Sequence, residues 1–228
     1  MKKSLWYGSK KIEFDLRFNH RKTLGITVTP EMDVIVTAPM KASMKRVNAL
    51  VTKRAPWILK QQSFFLTFYP KQPPKRYISG ETHLYLGRQY RLKIRKGRRE
   101  EVKLHGRFVD VSCKNRGRVK VLLKAWYLQH AELKFISLRD KWAEEFNVLP
   151  PAVAIREMPK RWGSCTVNGK VILNPELIKA PTGCIEYVIV HELCHLVHHN
   201  HTQKFIHLQS KMMPDWERWK MRLERLLA

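Results

Sequence analysis

The sequence lacks long hydrophobic runs and paired cysteines, and each absence excludes a class of protein. It also shows no internal repeats. No apolar run approaches the roughly 20 residues that a membrane-spanning helix requires. Residues 1–10 include basic side chains but not the apolar stretch of at least about 7 residues found in a signal peptide. The four cysteines form no C-x-x-C pair, so buried free thiols are expected rather than disulfides or a cysteine-bound zinc. We therefore predict a cytoplasmic protein without membrane contact.

Acidic residues are also scarce, and the resulting positive charge is unevenly distributed. The chain has 19 acidic and 44 basic residues, a net charge of +25. Residues 1–125 carry a net charge of +22, whereas residues 126–228 carry +3. This asymmetry suggests contact between the basic N-terminal half and nucleic acid or another polyanion. A solvated surface with no such partner explains the charge equally well.

The first 118 residues have the patterns of β-strands. Residues 11–18 alternate apolar and charged side chains, as a half-buried strand does. The predicted strands are 11–18, 24–28, 34–37, 84–86, 90–94 and 108–111. Ser43 is a suitable cap for one short helix, and Pro56 suits the first turn of a second. The proline-rich residues 69–76 are expected to form a loop.

After residue 118 the apolar residues follow a helical period. A stripe over residues 119–146 predicts a long helix that ends at Asn147 and the following prolines. The rest of the chain predicts strand, strand, helix, turn and helix. We therefore predict an α+β fold, with a basic β-rich part over 1–118 containing a short helical pair. Residues 119–228 are predicted to form a metal-binding catalytic domain with a small sheet, packed with the first part as one unit.

The chemistry is carried by a His-Glu-x-x-His motif that comes directly after an apolar run over residues 185–190. His191 and His195 lie four residues apart and therefore project from one helix face, where both imidazoles can bind one metal ion. Glu192 then lies beside the water that the ion binds. Zinc lowers the pKa of that water towards about 7, and Glu192 would take its proton and return it to the leaving group.

A catalytic zinc needs a third protein ligand and one open position. The candidates are His198, His199, His201, His207, Glu217 and Glu224. His201 is favoured because the six residues after His195 allow the helix to end and the chain to bend back. His198 would crowd three ligands onto one helical turn, and Glu217 on a later helix is the second choice.

Two cations near Trp162 are candidates for substrate binding. Arg161 can pair with a carboxylate, a phosphate or a developing oxyanion, and Lys160 beside it would strengthen each of these interactions. A structural ion pair of Arg161, with Trp162 in the core, is an equally good interpretation.

Several segments resemble the YgjP-like metallopeptidase-domain family, which is related to the SprT-like and WLM zinc proteases. In the C-terminal half they are Arg161-Trp162-Gly163-Ser164-Cys165, Leu173-Asn174, residues 187–196, and Asn200-His201-Thr202 with Phe205. In the N-terminal half they are residues 21–24, 38–39, 57–58, 80–81 and 84–88. The resemblance implies a zincin-like catalytic domain. It also implies zinc ligands His191, His195 and His201, with Glu192 as the catalytic acid and base.

The sequence leaves three functions to distinguish. The first is a zinc-dependent metallopeptidase acting on peptides or proteins through a Glu-activated, zinc-bound water. The second is a zinc-dependent hydrolase of nucleotides or other phosphate esters, because the same activated water attacks phosphorus. The third is a nucleic-acid-associated factor that processes proteins docked on its basic half.

Overall fold

The computed structural model of the chain describes residues 1–29, 31–66, 74–149, 151–159 and 161–227, and these form eleven β-strands and five α-helices. The chain divides into two compact units, Met1–Gln72 and Pro73–Leu227. Among the described residues, no helix has the length and apolar character needed to cross a membrane. Of the predicted loop at 69–76, residues 69–73 lie outside the described part of the chain.

The first unit begins with a four-stranded sheet. Its strands are β1 (Lys2–Tyr7), β2 (Lys10–Asn19), β3 (Gly25–Val28) and β4 (Val34–Pro39). Their order is β1-β2-β4-β3, with the central β2 and β4 parallel and both outer pairs antiparallel. The alternation seen in the sequence places Ile12, Phe14 and Leu16 in the core, whereas β1 had not been predicted.

One long helix, α1 (Met44–Leu66), covers this sheet, and the predicted pair of short helices is wrong. Pro56 lies inside α1, where it has no N–H to donate to the preceding turn. The helix continues past Pro56 because its buried apolar face extends on both sides of the proline. Val51 and Ile58, on either side of the proline, are both fully buried in the core that the sheet forms.

The second unit begins with a sheet of the same arrangement. Its strands are β5 (Thr82–Tyr85), β6 (Arg88–Lys96), β7 (Glu101–His105) and β8 (Phe108–Cys113). Their order is β5-β6-β8-β7, again with a parallel central pair and antiparallel outer pairs. A topological repeat therefore exists although the sequence shows none. Strand β7 was the one strand of this sheet not predicted.

The turn between β5 and β6 connects this sheet to the C-terminal part of the same unit. Leu86 and Gly87 both have positive φ, as a two-residue hairpin turn of the primed type requires. The N–H of Leu86 donates to the carbonyl of Ile178 at 2.9 Å, and that of Gly87 to Lys179 at 3.0 Å. A Cβ on Gly87 would lie 2.6 Å from Pro181 Cγ, so only glycine allows this close packing.

The long helix α2 (Val119–Glu145) ends two residues before Asn147, which the sequence predicted to stop it and which has the left-handed conformation (φ 52°). Its first turns, with Val119 and Leu123, pack on the second sheet, whereas Phe135 and Leu138 pack on the elements that come after α2 in the chain. Because α2 belongs to both cores, the compact units divide at 72/73, which differs from the boundary at 118/119 expected from the sequence.

The remaining elements surround the candidate site. A three-stranded sheet contains β9 (Val153–Ile155), β10 (Gly163–Cys165) and β11 (Val171–Leu173), in the order β10-β11-β9. The helices α3 (Thr182–Val197), α4 (Gln203–Met212) and α5 (Trp216–Leu227) come after this sheet in the chain. All four cysteines are free thiols, and three are buried; Cys165 is partly exposed.

Candidate metal centre

The apolar start of α3 anchors the residues of the motif. Ile185, Val188 and Ile189 are buried, so the helix is held against the core for two turns before His191. His191 and His195 then lie one turn apart, with ring centroids separated by 5.0 Å. Both imidazoles emerge at the same side of the helix, as their spacing predicts.

His201 joins these two histidines because α3 ends and the chain turns back. The N–H of His198 donates to Cys194 O at 2.8 Å and closes the helix, and α4 begins five residues later at Gln203. One ligand atom from each of the three imidazoles lies within 4.8 Å of the other two. His201 Nε2 is 3.0 Å from His191 Nε2. A tetrahedral zinc with bonds of about 2.0–2.1 Å holds its nitrogens roughly 3.3 Å apart, so the three rings fit such an ion.

The other candidates for the third ligand are not in this cluster. Within the described residues, only His191, His195 and His201 form a group of His, Cys, Asp or Glu compact enough for one metal ion. The side chains that lie outside it are His198, His199, His207, Glu217 and Glu224.

Hydrogen bonds orient the two helical imidazoles. His191 Nδ1 donates to Gln209 Oε1 at 2.9 Å, and His195 Nδ1 donates to His198 O at 3.3 Å. With Nδ1 protonated in each ring, Nε2 is left with the lone pair that a metal needs. Gln209 is fully buried on α4, and no sequence pattern pointed to it.

A buried aromatic residue completes the surroundings of the three rings. Phe205 is fully buried, and its ring centroid lies 4.7–5.0 Å from those of His191, His195 and His201. Burial lowers the pKa of His191 to about 4 and is the largest cause of the lowered pKa of His195. Both rings are therefore neutral at neutral pH, which is the form that binds a metal.

Glu192 occupies a tight position between α3 and β10. Its side chain is 5% exposed, and burial raises its pKa to about 7. The N–H of Cys165 donates to the carboxylate and, with the Arg161 guanidinium, opposes that rise. A Cβ on Gly163 would lie 2.6 Å from Glu192 Oε1, so this strand can approach the carboxylate only because residue 163 is glycine.

An open cleft of about 540 Å³ connects these groups to the surface. It is lined by Arg161, by residues 163–167, by Glu192 and by four histidines, including the exposed His199. Arg161 forms no salt bridge with a described acidic residue, although its charge acts on Glu192, and Trp162 packs on the core. Lys160 lies outside the described residues.

Asn174 holds the segment that leads to Arg161, and sequence reasoning assigned it no role. Its side-chain amide is buried and donates to the carbonyls of Met158 at 2.9 Å and Arg161 at 3.1 Å. Its carbonyl oxygen accepts from Glu176 N at 3.1 Å. The only sequence signal was its place in the Leu173-Asn174 segment of the family resemblance.

The comparison with protein families agrees with the metallopeptidase resemblance. The model of the YgjP-like metallopeptidase domain matches residues 22–226. The crystal structure of the metallopeptidase zymogen of Pyrococcus abyssi abylysin is 21% identical, with a TM-score of 0.34 over 44% of this chain and 91% of that one. No protein with curated annotation matched the chain. Because the family match spans nearly all of the sequence, the chain belongs to the YgjP-like metallopeptidase-domain family.

Proposed function

We propose that the protein is a zinc-dependent metallopeptidase in which His191, His195 and His201 hold the metal and Glu192 is the general acid and base. Family membership implies a metal-dependent peptidase acting on a peptide or protein. The proposed metal ligands and the proposed role of Glu192 are supported by one arrangement, a cluster of three histidines beside a buried carboxylate in a single cleft.

The donor set suits zinc among the common metals. Three imidazoles without a carboxylate are typical of zinc sites, whereas magnesium and calcium prefer oxygen ligands. When bound, zinc lowers the pKa of a coordinated water towards about 7 and polarises a substrate carbonyl. The neutral state of His191 and His195 and the hydrogen bonds on their Nδ1 atoms prepare the rings for this role.

Glu192 would move the proton. Its carboxylate accepts a proton from the attacking water and delivers it to the amine nitrogen that leaves. The hydrogen bond from Cys165 N–H fixes the carboxylate on the cleft wall, where a scissile peptide bond would lie.

Arg161 is proposed to bind substrate at the entrance of this cleft. Its guanidinium can donate two hydrogen bonds to a carboxylate or to the oxygen on which charge develops. Lys160 remains a prediction from the sequence, since it lies outside the described residues.

The acid and base role of Glu192 is tested with Glu192→Gln, and Glu186→Gln on the same helix is the control. We expect hydrolysis of a fluorescent casein to fall by roughly 10²–10⁴-fold in Glu192→Gln, because the proton carrier is lost while the shape is kept. Zinc content, measured by mass spectrometry, should remain one ion per chain, and Glu186→Gln should retain activity. Casein hydrolysis that survives Glu192→Gln would exclude this mechanism.

The third metal ligand is tested by His201→Ala. This variant should lose zinc, whereas His207→Ala should not.

A nucleotide or phosphate-ester hydrolase is the second candidate, and Arg161 favours it. Among the described residues that line the cleft, Glu192 is the one acidic group, so the entrance is suited to an anionic substrate. Incubation with a panel of nucleoside triphosphates, with Glu192→Gln as the blank, separates the two functions. Release of phosphate or pyrophosphate without casein hydrolysis would replace the peptidase proposal.

A further inference from the structure

The second sheet has one covered face and one open face. On the covered face, Leu92, Val109 and Val111 pack against Val119 and Leu123 of α2. The opposite face is formed by the alternate residues of the same strands. We call these residues the open face: Arg91, Lys93 and Arg95 on β6, Phe108, Asp110 and Ser112 on β8, and Glu101, Lys103 and His105 on β7.

Positive charge on the open face exceeds what its acidic residues neutralise. Asp110 pairs with Arg95 at 3.2 Å, and Glu101 pairs with Lys103 at 2.8 Å. No described acidic residue lies within ion-pair distance of Arg91 or Lys93, and both side chains are exposed. Two residues apart on one strand, they point the same way about 6.6 Å from each other. This row can contact successive anionic groups of an extended polymer.

An exposed aromatic ring lies within this charged row. Phe108 is 40% exposed and sits opposite Arg91 on one side and His105 on the other. The ammonium of Lys93 lies 5.5 Å from the centroid of its ring. A large apolar side chain gains nothing from such a position in isolation, whereas bases of single strands stack on aromatic rings held among cations.

The corresponding face of the first sheet also has an exposed aromatic ring, Trp6 on β1 opposite Lys11, but the cations of β2 on that face are paired with acidic residues. Its cations Lys11 and Arg17 are paired with Glu13 at 2.7 Å and Asp15 at 3.0 Å on the same strand. The positive charge on β2 is therefore neutralised locally, whereas that of Arg91 and Lys93 on β6 is left available.

We infer that the open face binds single-stranded nucleic acid, with a base stacked on Phe108 and phosphates contacted by Arg91 and Lys93. A duplex offers no unpaired base to the ring. A membrane surface would need a larger apolar area than one phenylalanine provides. An acidic protein would use the cations but not the aromatic ring.

The binding is tested with the full-length, zinc-loaded protein and a fluorescein-labelled oligo(dT) of about 12 nucleotides, within the usual range of site sizes. Fluorescence anisotropy should show that Phe108→Ala weakens binding by roughly 5- to 150-fold, the effect of losing one stacked base. Phe108→Tyr retains the ring and should bind like the original protein. Equal weakening by both variants, or by neither, would contradict the stacking role.

The phosphate contacts are tested by the salt dependence of the same titration. The double variant Arg91→Gln/Lys93→Gln should lower the slope of log affinity against log salt by about 1.4, because two phosphate contacts on a single strand are lost. The matched control Lys45→Gln/Lys53→Gln removes the same charge from exposed positions of α1 and should leave the slope unchanged. The inference is overturned if both double variants change the slope equally. Tighter binding to a duplex, phosphatidylserine vesicles or polyglutamate would also overturn it.

Discussion

The two units begin with the same arrangement of four strands and a helix, but only the second carries the candidate metal centre. In both, two hairpins place their second strands side by side in parallel, and the next helix covers the sheet. The buried residues of α1 all belong to the core cluster of its own sheet. The longer α2 continues past its sheet and packs on the elements that hold α3. The candidate metal centre therefore belongs to the elements C-terminal to α2 and not to the repeated sheet-and-helix arrangement.

The cores of the two sheets show why this repeat was not visible in the sequence. Strand β2 buries Ile12, Phe14 and Leu16, whereas the equivalent strand β6 uses Tyr90, Leu92 and Ile94. Both sets meet the same requirement for an apolar side chain at every second position. Because that requirement accepts many residues, the topology can be the same while the residues differ.

The largest difference that we predict between variants of the two units is in hydrolytic activity. It concerns two strand glycines, Gly163 in β10 and Gly25 in β3. Gly163→Ala should reduce hydrolysis by about 100-fold, because the new Cβ would lie 2.6 Å from Glu192 Oε1 and displace the carboxylate. Zinc content should be retained. In Gly25→Ala the new Cβ meets only the end of the flexible Arg21 side chain, at 3.0 Å, so activity should change little. A similar loss of activity in both variants would show that the effect is not local to Glu192.

A second pair of variants compares buried or partly buried glutamines. Gln209→Leu should weaken zinc binding by about 10- to 100-fold, because His191 Nδ1 loses the hydrogen bond that orients its ring. In the first unit, Gln62 donates a comparable hydrogen bond to Met32 O at 2.8 Å. Gln62→Leu should leave zinc affinity unchanged, as measured by competition with a chelating dye. Unaltered affinity in Gln209→Leu would mean that Phe205 and the helix alone orient His191.

The elements with a strong periodic signal could be predicted from the sequence, and those decided by packing could not. The pattern of residues 11–18 predicted β2, and the apolar run before His191 predicted the anchored start of α3. In contrast, Pro56 indicated a helix boundary that the buried face of α1 overrides. Strand burial and helix continuation are set by neighbours that are distant in sequence.

The same distinction applies to the candidate site. His191, Glu192 and His195 were identified because their spacing has a direct geometric meaning on a helix, and His201 was favoured because the chain has room to turn. Gln209 was missed because its partner is 18 residues away, and the contact exists only once α4 packs on α3. Spacing identifies the residues that face one another on one element, but it does not identify partners supplied by another element.

The smallest predicted difference is in the pH dependence of stability. It concerns two histidines outside the metal centre, the buried His83 in β5 and the exposed His20. Burial lowers the pKa of His83 below its ordinary value of 6.5, although Glu81 lies 3.0 Å away. As the pH falls below 6.5, the unfolded chain binds a proton that the folded protein does not, so the free energy of unfolding decreases. One proton limits this slope to about 1.4 kcal/mol per pH unit.

Urea denaturation above and below pH 6.5 should therefore show that His83→Gln loses less stability on acidification than the original protein. His20→Gln, which removes an exposed imidazole, is the matched control and should lose as much as the original. The metal-centre histidines are present in all three proteins, so their contribution cancels in the comparison. If His83→Gln and His20→Gln respond equally to acid, the Glu81 carboxylate fully offsets the burial of His83. His83 in the second sheet would then be balanced by a carboxylate, as the cations Lys11 and Arg17 are in the first sheet.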